Sequence, residues 1–430
     1  MDRRRFLLGS VALPALGAAS TRGDALAGLP DGPPEDPHDE AYWHALRWHF
    51  YIPKGHAYCN SGTLGSTPKV GINAVNDHQI FVEQHLSSST YKSGHPTFLG
   101  GYQDEPTLRT RVGKIMGCSM QETALTRNAT MGMSYVAMGL MLGKGDEVVM
   151  TDQEHSGGRS AYDVRVKRDG VKIVEVEIGK PPKDPKSVVD AFARAITDRT
   201  RVVAIPHMTS VLGLLLPVKE VTEMVKARNP NIFVVVDGAQ TLGHVKVDVR
   251  SMGCDAYFSS PHKWLLAPKG NGVLYVQKGS NTKVWTTVAS GQWDFQDDVG
   301  RRFSQIGTGN QSLHKGFEAV LDFLERIGID TIIARIKTLG DRLRKGLSEI
   351  DGVTIHSATH PEMCAGMTNY AVRGWTPGDT SLHLWRNDKI MPRATGDGIR
   401  QSLHIYNTFE DVDRTLARIR KMAANPPKGK

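Results

Sequence analysis

Two residues frame the chemistry that this chain can do. Asp237 closes the apolar run Phe233-Val234-Val235-Val236 and opens Gly238-Ala239-Gln240. Lys263 lies in Ser259-Ser260-Pro261-His262-Lys263-Trp264, which follows the strand-like run Asp255-Ala256-Tyr257-Phe258. Neighbouring strands that end in a carboxylate and an amine can hold one ligand ring between them. Pyridoxal 5′-phosphate (PLP) needs that pair: the amine condenses with its aldehyde, and the carboxylate keeps the pyridine nitrogen protonated. The protonated ring then accepts electrons when a bond at an amino-acid α-carbon breaks. Once a substrate amine displaces Lys263, the lysine is placed as a general base at that carbon.

Further residues extend the pattern. Thr126-Arg127-Asn128-Ala129-Thr130 precedes an apolar, periodic run over 133–142, which predicts a helix beginning near Thr130. The free N–H groups and partial positive charge of a helix N-terminus suit a phosphate, and Thr130 adds a hydroxyl. Ser260 and His262 flank Lys263 and can reach the same phosphate while the lysine reaches the aldehyde. The strand-like run Glu147-Val148-Val149-Met150 leads to Glu154-His155, and an imidazole there can shuttle a proton near neutrality. Arg400 offers a carboxylate partner through two parallel hydrogen bonds, with Arg393 as a second candidate.

The pair VDGAQ and SSPHKW, followed by Ala267-Pro268-Lys269-Gly270, resembles the class V aminotransferase family of fold-type I PLP enzymes. The isopenicillin N epimerase-like branch is the most similar, and the likeness runs from about Tyr58 to about Arg420. The resemblance implies a phosphate site at Ala129 and Thr130, and an imidazole, His155, lying on the cofactor ring. It places Ser210 and Gln240 near the cofactor's phenolic oxygen, and Asn60 over the active site near the substrate. Arg400 matches the arginine that takes the substrate carboxylate. Thr308, in Gln305-Ile306-Gly307-Thr308-Gly309-Asn310, matches a loop that reaches the partner subunit's phosphate, which implies a homodimer with a shared site. The implied activity is of the epimerase or aminotransferase type, on an amino acid or an amino-acid-containing peptide. Two alternatives are an exported enzyme that tailors a siderophore peptide, as in pyoverdine maturation, and a C–S lyase. A persulfide-forming desulfurase needs a mobile cysteine, and residues 391–397 contain none; Cys364 lies before the preceding strand. A cofactor-free binding protein on the same fold is the non-enzymatic alternative, and the presence of both Lys263 and Asp237 argues against it.

The elements that must position these residues alternate in the βαβ manner. Strand 172–177, helix 186–196 and strand 201–206 predict a mostly parallel sheet. Helical patterns cover 69–115, with a loop from Ser87 through Pro96, then a segment near 311–327, and 331–349. Strands are expected at 353–355, 367–372 and 398–408, with a closing helix opened by Glu410. The expected fold is α/β, of fold-type I, with a seven-stranded-type sheet and a smaller C-terminal α+β domain. The boundaries read as a signal peptide over 1–27, an arm over 28–68, a large domain over 69–320, a small domain over 321–424 and a tail over 425–430.

The N-terminus carries Arg3-Arg4-Arg5-Phe6-Leu7-Leu8, an apolar stretch to Ala19 and the small-x-small site Ala25-Leu26-Ala27. This is the pattern of a twin-arginine signal, which implies the twin-arginine export machinery and a periplasmic or otherwise exported enzyme. Its apolar core is too short for a stable membrane anchor, which takes about 20 residues. The 430 residues carry a net charge of +8, but the basic residues are dispersed, so no nucleic-acid partner is expected. Four cysteines without CxxC spacing give no metal site. No G-x-S-x-G or H-E-x-x-H supports a hydrolase.

Overall fold

The computed structural model describes residues 32–34, 36–88 and 104–427. The expected signal peptide, the predicted loop from residue 89 onward and the end of the tail lie outside the described residues.

Seven strands form the main sheet: β1 (Thr123–Thr126), β2 (Glu147–Thr151), β3 (Lys172–Val176), β4 (Thr200–Pro206), β5 (Phe233–Asp237), β6 (Ala256–Ser259) and β7 (Gly272–Val276). Their order is β1-β7-β6-β5-β4-β2-β3. All pairings are parallel except those of β7, which runs against both β1 and β6. Parallel strands are covered by helices on both faces and so read as unbroken apolar runs. The valines of β5 show this, since every residue of that strand is buried. Chain order reverses between β4 and β2, and such a switch point opens a crevice at the carboxyl ends of the strands. Pro206 pairs with Asp237 and Asp237 with Phe258, so the last residues of β4 and β5 stand level with the end of β6.

The expected helix after β1 is α1 (Ala129–Gly139). It begins one residue before Thr130, because Asn128 is its cap and accepts the Met131 N–H at 2.9 Å. Helix α2 (Ser156–Asp169) follows β2 and escaped the sequence reading, since Ser156, Gly157 and Gly158 are poor helix formers. Helices α3 (Ser312–Ile327) and α4 (Ile329–Ser348) match the two expected segments and are separated at Gly328.

The C-terminal part is a four-stranded antiparallel sheet of β8 (Val353–Ile355), β9 (Met367–Val372), β10 (Arg393–Thr395) and β11 (Gly398–Ser402), in the order β10-β11-β9-β8. The strand expected over 398–408 ends at Ser402. Beyond it the buried polar side chains serve the backbone instead of a ladder. Asn407 Oδ1 accepts the His404 N–H at 3.0 Å, and Thr408 caps the closing helix Phe409–Ala424.

The arm after Tyr58 joins the two sheets. Ala57–Tyr58 pairs with Ile390–Met391, and Asn60 bridges to Ser402. Gly65 N–H donates to the His262 carbonyl at 2.9 Å. A Cβ on Gly65 would stand 2.0 Å from the Lys263 carbonyl oxygen, so only glycine lets the arm lie on the lysine loop. From below, Trp264 stacks on His244 at 3.5 Å and donates to Gln240 Oε1 at 2.9 Å. Among the described residues no helix is long and apolar enough to cross a membrane.

Gly65→Ala should force the arm off the lysine loop and cost about 1–3 kcal/mol, the usual range for overpacking. Thermal or urea unfolding reads this directly, and an unchanged midpoint would refute the close approach.

Candidate active site

The crevice at the strand ends holds a cavity of ≈ 480 Å³. Ten of the expected site residues line it: Lys263, His155, Asp237, Ser260, His262, Ala129, Thr130, Ser210, Gln240 and Arg400. Arg393 lines it as well.

At one end the buried Asp237 accepts the Ala239 N–H on Oδ1 at 2.8 Å. Burial raises its pKa, while the Ala239 N–H and the charges of Lys263 and His155 act against that rise. Glu154 is a second carboxyl in the wall, missed in the sequence. Its Oε1 accepts from the Thr151 hydroxyl at 3.0 Å, and its Oε2 is buried without a partner. Asp237 approaches Gly158 closely in the first turn of α2, and Glu154 lies in ordinary contact range of it. A Cβ there would lie 3.1 Å from Asp237 Oδ2 and 3.9 Å from Glu154 Oε2. Burial first, and the charge of Asp237 second, push Glu154 up to about 8. At neutral pH Glu154 therefore holds a proton and does not add a second charge beside Asp237.

At the other end the first turn of α1 faces the cavity, and the Ala129 N–H donates to Ser260 Oγ at 3.0 Å. Lys263 lies between the two ends. Burial pushes its amine down to about 8, Asp237 opposes the shift, and Arg400 and Arg393 add to it. His155 is the N-cap of α2, and its Nδ1 accepts the Gly157 N–H at 3.0 Å. Burial and then Lys263 hold the imidazole below its ordinary pKa. It is thus a neutral ring with its proton on Nε2. His262 is likewise pushed down to about 4 by burial, then by Lys263.

The third wall is cationic. Arg400, 2% exposed, donates through Nη1 to the Ser210 carbonyl and through Nη2 to Asn60 Oδ1 at 3.1 Å and Thr63 Oγ1 at 2.8 Å. Its Nε has no partner. Asn60 is not a lining residue; it sits behind the wall and positions Arg400 and Thr63. Ser210 lines the cavity, and its carbonyl anchors Arg400. Gln240 donates through Nε2 to the Gly62 carbonyl at 2.8 Å and accepts from Trp264, so it ties the arm to the lysine loop. Thr308 is not brought to the cavity; it is exposed on the loop before α3. No cysteine lines the cavity, and the Cys364 thiol lies outside it, donating to the Ala358 carbonyl at 2.8 Å. Among the described residues no cluster of side chains could hold a metal ion.

A helix N-terminus with hydroxyls, an amine, a carboxyl and a neutral imidazole are disposed as PLP requires: phosphate at one end, ring nitrogen at the other, aldehyde between. The family model for aminotransferase class V matches residues 101–415. The chain belongs to the aminotransferase class V family. As a member it is a PLP-dependent enzyme on the fold-type I scaffold. Isopenicillin N epimerase of Streptomyces clavuligerus is 29% identical, over 87% of this chain and 96% of its own length. A probable cysteine desulfurase of Halalkalibacterium halodurans is 28% identical, over 83% and 90%. Among solved structures, the cystine C-S lyase C-DES, in complex with cysteine persulfide, superposes with a TM-score of 0.73. It shares 23% identity over 84% of this chain and 97% of its own, a likeness of fold.

Two outcomes test the electrostatics. In the cofactor-stripped protein, labelling of Lys263 by an amine-selective reagent, read by peptide mass spectrometry, should reach half its maximum near pH 8; a midpoint near the ordinary 10.5 would remove the burial argument. Glu154→Gln keeps the shape and discards the proton. An acid whose folded pKa is raised makes the fold lose stability as pH rises from its ordinary 4.5 to about 8. The thermal midpoint of Glu154→Gln relative to the parent should therefore climb across that window, and a constant difference would contradict a buried proton on Glu154.

Proposed function

We propose that the enzyme acts at the α-carbon of an amino acid or an amino-acid-containing peptide, in a reaction of the epimerase or aminotransferase type. The observation that carries this reading is the placement of Lys263 between Asp237 and the α1 N-terminus, with Arg400 facing the same cavity. When bound, PLP supplies an electron-withdrawing ring that weakens the bonds at the α-carbon. The chain's own residues do the rest. Ala129, Thr130, Ser260 and His262 would hold the phosphate, and Asp237 would take the ring-nitrogen end. His155 would offer its neutral imidazole to the ring face. Ser210 and the remaining Nε2–H of Gln240 would serve the phenolic oxygen. Arg400 takes the α-carboxylate, held in place by Asn60 and Thr63. Lys263 would carry the cofactor, and its free amine would remove or return the α-proton; an amine near pKa 8 is matched to that work at neutral pH.

The cavity lacks the thiol that a persulfide-forming desulfurase needs. A C–S lyase uses the same lysine and needs no thiol, and it is the second reading. We also propose export through the twin-arginine signal to the periplasm. That location would suit the tailoring of an exported peptide such as a siderophore. Thr308, exposed and away from its own cavity, would serve a second subunit in a homodimer.

Borohydride treatment should fix the cofactor to the peptide bearing Lys263, with none fixed in Lys263→Ala. Amino acids and short peptides that shift the visible band should exchange their α-proton in D₂O, and Lys263→Ala should slow this by about 100- to 10,000-fold. Product analysis then separates the readings: the opposite enantiomer, a keto acid, or a released thiol or persulfide. Exchange unaffected in Lys263→Ala would remove the lysine from its role.

A further inference from the structure

Arg393 and Arg400 form a cross-strand pair. β10 and β11 are antiparallel, and Arg393 stands directly opposite Arg400 in their register. Residues opposite one another in such a ladder project from the same face, and like charges so placed repel. Both guanidinium groups end on one hydroxyl: Thr63 Oγ1 accepts from Arg393 Nη1 at 2.9 Å and from Arg400 Nη2 at 2.8 Å. That hydroxyl donates to Asn60 Oδ1 at 2.8 Å, so its hydrogen-bonding capacity is used up. Neither arginine has an ion-pair partner among the described residues. Burial, and then the charge of Arg393, act against the charge of Arg400. The two carboxyls of the wall offer little relief, because Asp237 faces Lys263 and Glu154 is neutral. Two arginines side by side, open to one cavity and short of negative charge, are complementary to two anionic groups on one ligand.

We propose that Arg393 reads a second anionic group, so that the substrate is an α-amino dicarboxylate, free or as the end of a peptide. This rests on the assignment of the α-carboxylate to Arg400. Because both guanidinium groups touch one hydroxyl, the two carboxylates are separated by a short chain. Arg400 is buried and fixes the common group, whereas Arg393 is exposed at the mouth and fixes the group that differs between substrates.

The test needs no turnover. Calorimetric titration of the PLP-loaded enzyme with glutarate and with its mono-amide compares two ligands of one shape that differ by one charge. Glutarate should bind about tenfold more tightly, the usual worth of one charged hydrogen-bonded pair. Arg393→Gln should erase most of that preference, Arg393→Lys should keep part of it, and Arg400→Gln should weaken both ligands. In turnover, Arg393→Gln should raise KM for glutamate or aspartate more than for their amides, with kcat little changed. Equal affinity of the parent for the two ligands, or an equal loss of both in Arg393→Gln, overturns the proposal. Failure of the PLP reading would instead show as no cofactor fixed at Lys263, and the same titration of the cofactor-free protein would then decide the role of Arg393.

Discussion

A carboxyl buried at the end of a parallel strand, beside an amine, is the constraint on which the site depends. Removing a charge from water is costly unless hydrogen bonds and opposite charge replace the lost solvation. Asp237 receives the Ala239 N–H and the nearby Lys263. Glu154 keeps a proton and so does not add a second charge. Each arrangement requires another. Lys263 must lie in the loop beyond β6, which Trp264 pins from below, and Gly158 must leave room for two carboxyls against one helix turn.

The opposite wall solves a different problem with the same means. Arg400 is held by a carbonyl from the loop after β4 and by two side chains of the arm. Two segments far from it in sequence therefore set one guanidinium. Its pose is over-determined before any ligand arrives, and preorganisation of this kind lets an ion pair discriminate by direction as well as by charge.

Much of this was legible in the sequence, and what was not has physical reasons. Lys263, Asp237 and the α1 N-terminus follow apolar runs, and strand ends in a parallel sheet gather at one crevice wherever the chain places them. Glu154 could be read as half of Glu-His, but its protonation depends on distance to Asp237, which only the packing of α2 against β5 sets. Asn60 was expected at the substrate and stands one layer behind it, because the arm bridges to Ser402 and turns its amide toward Arg400. Gln240 has the right position but uses its amide to join two loops. The opposition of Arg393 and Arg400 is a matter of register, fixed by the tight turn at Gly396-Asp397, and residue types alone do not disclose it.

The contact of Gly65 with the lysine loop also orders the assembly of the molecule in time. The arm bonds to residues 262, 391 and 402, and none of these exists when the ribosome has made only the arm. The part of the site synthesised first is thus the last to be seated, after nearly the whole chain has emerged. Contacts this distant in sequence are the slow ones in folding. The cavity acquires its arginine wall only as the chain closes on its own beginning, so a molecule with a finished site is one that has finished folding.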